Sequence, residues 1–131
     1  MWLYGFTTFL SAFLIFQVQM LLGKYILPWY GGVPAVWATC MLFFQTALLA
    51  GYAYAHGLAA RPLPATQRSV HMLMVLGTIG VLGLFATDWG WPLLPDAAWR
   101  PTGSESPILH ILLLLTAAVG APFITLAATA P

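Results

Sequence analysis

A chain of 131 residues that is 61% hydrophobic and 5% charged, with a mean hydropathy of +0.90, cannot dress a water-soluble fold, because an ordinary soluble domain carries roughly 25% charged residues and a small one leaves much of its area wet. Its charges are Lys24, Arg61, Arg68 and Arg100 against Asp88, Asp96 and Glu105, a net of +1; nucleic-acid binding, which needs clustered Lys and Arg, is excluded. The single cysteine, Cys40, permits no intrachain disulfide and no thiolate cage, and within its apolar run it reads as a buried, inert thiol.

A helix rising 1.5 Å per residue needs ~20 mostly apolar residues to cross a hydrocarbon layer ~30 Å thick. Four stretches meet that length, which predicts an all-α integral membrane protein: a four-helix bundle forming one transmembrane domain over residues 1–131. The first stretch covers residues 3–26 and is free of charge until Lys24. No basic residue precedes it, and it runs on past the length of a signal-peptide core, so it is expected to remain as a helix. Tyr4, Phe6, Phe9, Phe13 and Phe16 read as a lipid- or partner-facing stripe rather than a cofactor box. Contact with a quinone or pigment would draw on the same residue types. Pro28, Gly31, Gly32 and Pro34 then end the helix, since proline removes a donor and glycine favours a turn.

The second stretch covers residues 35–58, with Pro34 at its first turn, where a missing N–H costs little. Arg61, Pro62 and Pro64 close it. The third, residues 69–87, is near the minimum for a span; Gly77, Gly80 and Gly83 recur every third residue and offer a face where a neighbouring backbone can approach. A polar segment of residues 88–107 follows, holding Trp89, Trp91, Trp99 and four prolines. Proline excludes a helix there, and tryptophan favours headgroup depth, so these rings are expected to anchor an extracytoplasmic loop at the interface. Ser104, Glu105 and Ser106 read as the capping sequence of the next helix. The fourth stretch, residues 108–128, carries Gly120 and Pro122 as markers of a kink.

Basic residues in short loops set orientation. Arg61 and Arg68 flank the connection between the second and third helices, whereas the tryptophan loop carries all three acidic residues and only Arg100. Both termini are therefore expected in the cytoplasm, in a multi-pass protein of a bacterial inner membrane. Lys24, on the outer side, runs against the rule.

Polar groups in hydrocarbon are costly and usually face a bundle interior or a partner. Gln17 and Lys24, seven residues apart, share one face of the first helix; Gln45, Tyr52 and His56 share one stripe of the second. If the stripes meet, they line a polar path; the alternative is plain interhelical hydrogen bonding, with Lys24 reaching to the headgroups. His56 and His71 flank the same short loop, while His110 opens the fourth helix at the opposite membrane face. That separation leaves no three-histidine metal site; a His56–His71 pair stays open, although interfacial histidines without a ligand role are the simpler reading. There is no phosphate loop, no G-x-G-x-x-G after a strand, no paired carboxylates within a helix and no H-E-x-x-H. Neither a catalytic centre, a metal site nor a cofactor follows from the residues; lipid, quinone and pigment stay open as ligands.

The runs FLSAFLIFQVQ (residues 9–19), GKYILPWYGGVPAVWATCMLFFQ (23–45), LLAGYAYAH (48–56) and TLAATAP (125–131) resemble the membrane region of the bacterial fused transporter-like, spermidine-synthase-like proteins. The likeness covers most of the chain and is most specific over residues 23–45. It implies membrane helices that precede a cytosolic aminopropyltransferase-like domain, which binds decarboxylated S-adenosylmethionine through a glycine-rich loop and acidic residues. None of those residues stands in this sequence, so the activity does not carry over. Two functions follow as expectations. One is a non-catalytic accessory or scaffold subunit packing against a larger membrane complex, photosynthetic and respiratory assemblies being general candidates. The other is the anchoring or solute-translocating part of a fused synthase-like protein, although no repeat relates the first helix pair to the second, as transporters commonly show.

Overall fold

The computed structural model describes residues 2–90, 99–101 and 107–129. Within them the chain is all helical: α1 (Trp2–Ile26), a 3-10 turn (Leu27–Tyr30), α2 (Pro34–Ala59), α3 (Pro64–Trp89), α4 (Pro107–Leu115), a π-helical turn (Thr116–Gly120) and α5 (Ala121–Ala127). α4, the π turn and α5 form one continuous span, so four helical units are long and apolar enough to cross a membrane. The protein is a multi-pass helical membrane protein, and an even number of spans brings both ends of the described chain to the same side.

Local sequence sets each boundary. After α1, Gly31 and Gly32 adopt φ of 80° and 64°, and the Gly32 N–H donates to the Leu27 carbonyl at 3.0 Å. Left-handed backbone of this kind suits glycine because a Cβ would clash. Val33, extended, then leads into Pro34 at the first position of α2, where the ring fixes a helical φ and its missing N–H would have had no partner. The same device opens α3. Leu63 is extended and Pro64 starts the helix, so α3 begins at residue 64 and not at 69 as its hydropathy suggests. Pro64, expected to act as a terminator, is an initiator. Arg68 consequently lies inside the helix, and the connection shrinks to residues 60–63. Gln67 folds back over it, its amide donating to the Arg61 carbonyl at 2.7 Å.

The break marked by Gly120 and Pro122 takes the form of the π turn. Proline lacks the N–H that would close the ladder, and its ring collides with the carbonyl four residues back. Widening one turn relieves the collision, as single π turns in long helices do.

The fourth span is the centre of the molecule. α5 packs against α1, α2 and α3, and α4 packs against α2, whereas α1 and α2 touch each other only sparsely. Buried side chains follow this plan: Ile111, Leu114, Leu115, Val119 and Phe123 of the fourth span meet Ile15, Leu22 and Ile26 of α1 and Val36, Cys40, Phe44 and Ala47 of α2. Cys40 is enclosed in this core. Gly51 brings α2 closest to α5. A methyl group there would sit 2.5 Å from the Ala127 Cβ and 3.0 Å from the Ile124 carbonyl oxygen, so only glycine fits. α3 differs sharply. Among its described residues Thr78 is the one buried side chain, and its main tie to α5 is a clasp in which the Thr78 and Thr125 hydroxyls lie 2.9 Å apart. Thr125 also donates to the Ala121 carbonyl at 2.9 Å; a hydroxyl has one proton, so Thr78 is the donor across the helices.

Candidate functional site: a groove between the first two helices

Because α1 and α2 both lean on the fourth span and only lightly on each other, a groove of about 330 Å³ opens between them. Its walls are Ala12, Ile15, Phe16 and Gln19 from α1 and Met41, Gln45, Leu48 and Tyr52 from α2, with Phe44 and Phe123 in the floor. The helices run antiparallel, so low numbers on α1 face high numbers on α2. Phe44 and Phe123 are 2% and 1% exposed and their rings meet tilted at 5.1 Å between centroids, a favourable aromatic geometry that makes the floor rigid.

Three polar side chains interrupt the apolar walls. Gln19 donates from Nε2 to the Met41 sulfur at 3.1 Å, a weak acceptor. Gln45 and Tyr52 are exposed and make no hydrogen bond among the described residues. Gln45 stands near the middle of α2, 11 residues past Pro34 and 14 before Ala59, about 16 Å and 21 Å along the axis from the two ends. At that depth the surroundings are hydrocarbon, where an amide without a partner costs several kcal/mol (about 4–8 on a water-to-alkane scale). No charged residue and no histidine belongs to the groove lining.

Of the five residues read as a polar path, Gln45 and Tyr52 line this groove. Gln17, Lys24 and His56 are exposed and lie outside its lining. Gln19, not Gln17, supplies the α1 amide. The signal for it was present in the spacing of the buried α1 residues Ser11, Ile15, Leu22 and Ile26: Gln19 falls on their side of the helix, four residues after Ile15 and three before Leu22.

No family model, no curated protein and no solved structure matches the chain.

The remaining sequence candidates fall at the two ends of the bundle. Toward the loop between α2 and α3, Tyr54 and His71 stack with centroids 6.3 Å apart, and the buried Tyr54 hydroxyl has no hydrogen-bond partner among the described residues. At the opposite end, Trp99 is half-buried and meets His110 edge-on at 6.2 Å, Tyr30 meets the same histidine edge-on at 6.1 Å, and the Arg100 guanidinium lies 5.5 Å over the Trp29 ring. A cation over an indole face is attracted by the ring quadrupole. Trp91, Ser104, Glu105 and Ser106 lie outside the described residues, as does the side chain of Trp89, so their roles as anchors and cap rest on sequence alone. Among the described residues no three His, Cys, Asp or Glu side chains gather as a metal site.

Two faces are largely uncovered by the described parts of the chain. On α1, Tyr4, Phe6, Phe9, Phe13 and Phe16 are all exposed, from 49% to 82%, with Phe9 and Phe13 stacked at 6.4 Å. On α3, a Cβ added at Gly77, Gly80 or Gly83 would meet nothing within 4 Å. The close approach expected at this glycine face is not made by any described part of the chain itself.

Proposed function

We propose that the chain is a non-catalytic membrane module that packs against a larger membrane protein assembly in a bacterial inner membrane. The observation that carries this reading is the open Gly77, Gly80 and Gly83 face of α3. Glycine in a helix interior costs roughly 1 kcal/mol relative to alanine. Three in one stripe are retained at that cost where a backbone comes close, and van der Waals packing of small residues is what joins helices in lipid. The exposed aromatic face of α1 is compatible with the same reading, and lipid would cover it equally well.

The decisive variant is Gly80→Leu. Open space beside Gly80 means that the isolated chain should keep its own stability, while co-purification with its assembly, read by native mass spectrometry, should fall at least tenfold. Retention of an unchanged stoichiometric complex would refute the reading.

One observation favours the anchor as a second reading. Four spans return the end of α5 to the side of the Arg61 connection, which the basic-residue rule makes cytoplasmic; a cytosolic synthase-like domain would have to emerge on that side. Mass measurement of the native polypeptide separates the two, because the anchor requires a longer one. The solute path gathers less support, since Gln17, Lys24 and His56 stand outside the groove that Gln45 and Tyr52 line.

A further inference from the structure

We propose that the groove between α1 and α2 binds an uncharged, membrane-dissolved molecule with a carbonyl-bearing ring and an apolar tail, the chemistry of a quinone. Three features select that class. The first is depth. Gln45 lies about 16 Å or more along the helix from either end of α2, beyond the reach of a phospholipid headgroup, so the hydrogen-bonding part of the ligand must itself be soluble in hydrocarbon.

The second is electrostatic complementarity. The polar groups of the groove are two carboxamides and a phenol, with no cationic or acidic residue beside them. A charged solute such as a polyamine would lose its hydration without gaining a counter-charge. Ring carbonyls, by contrast, accept hydrogen bonds from the N–H groups of Gln19 and Gln45 and the O–H of Tyr52, and the donors of Gln45 and Tyr52 have no partner among the described residues. Pockets for such ligands are mostly apolar with a few placed polar groups, and typically hold roughly 300–1,000 Å³; this one holds about 330 Å³.

The third is size. The groove's lining on α1, residues 12–19, runs only ~10 Å along the helix axis, a ring's length and not that of a docked helix. A planar ring fits, and it would lie against the aromatic floor of Phe44 and Phe123 and the side of Phe16, with its tail leaving toward lipid between the two helices.

The test uses the full chain in nanodiscs and a short-tailed benzoquinone carrying a photoreactive azido group. Label should appear in peptides containing residues 12–19 and 41–52, and excess unlabelled benzoquinone should displace it. Spermidine, and a saturated hydrocarbon of the same tail length, should not. Gln45→Leu and Tyr52→Phe should each weaken the competed labelling about tenfold, and Ala12→Trp, which fills the groove, should abolish it. Tyr52→Phe keeps the ring volume, so it reads the hydroxyl even if Gln45→Leu disturbs folding. Label located elsewhere, labelling indifferent to Tyr52→Phe and Ala12→Trp, or equal displacement by the hydrocarbon would overturn the proposal.

Discussion

The seam between α2 and α5 and the seam between α3 and α5 join two helices of equal length to the same partner, yet they are built on opposite principles. α2 meets α5 by shape. Gly51 admits the Ala127 methyl, and Phe44 interlocks with Phe123, so two helix surfaces come together with little space to spare. α3 meets α5 by a polar clasp, Thr78 to Thr125, and turns its own glycines away from the chain. In lipid there is no hydrophobic force between helices, so dense packing and interhelical hydrogen bonds are the available adhesives. The comparison teaches that small residues hold a helix only where they are used: α2 commits its glycine to a close approach, whereas α3, with its glycines facing outward, depends on a hydroxyl pair.

The contrast can be broken at its strong side first. Gly51→Val should destabilise by about 3 kcal/mol or more, since overpacking costs 1–3 kcal/mol even where side chains can yield and here the obstacle includes helix backbone. Unfolding by SDS titration, followed by far-ultraviolet dichroism, measures it; a variant as stable as the parent would show that the seam is looser than drawn. Next comes Phe123→Ala, expected to cost about 2–3 kcal/mol in the same titration, at or just below the aqueous range for such truncations because lipid can solvate part of the exposed surface. On the weak side, Thr78→Val should cost only about 0.6 kcal/mol, the typical worth of an interhelical hydrogen bond in a membrane, and cross-linking between α3 and α5 should fall while α2–α5 cross-links persist. Gly80→Ala should not destabilise at all: with open space for the methyl group, the isolated chain should gain at most about 1 kcal/mol, the helix preference of alanine over glycine. A large loss there would mean that α3 already has a close neighbour within the chain.

Hydropathy made the four spans readable, because length and apolarity are demanded by the solvent and depend little on tertiary detail. The turn at Gly31 and Gly32 was equally accessible, as positive φ leaves few alternatives to glycine. Proline was harder. Pro64 was read as closing a helix when it opens one, and a single sequence does not say on which side of a proline the helix lies unless the extended residue before it, here Leu63, is recognised as its cap. In the groove, the seven-residue spacing marks Gln45 and Tyr52, whereas on α1 the same spacing points to Gln17, which shares a face with Lys24, and not to Gln19. Partner identity across helices, such as Gly51 opposite Ala127, is long-range information that no periodicity within one helix contains. Nor did any local signal show that the fourth span sits at the centre.

That central placement bears on how the protein is made. Translation delivers α1, α2 and α3 to the bilayer before the span on which all three lean. Until α4 and α5 arrive, the early helices lack their principal docking surface, and residues such as Phe44 and Gly51 face acyl chains. Assembly of the tertiary structure is therefore a late event that follows insertion, and the first three helices are most open to lipid in the interval before it.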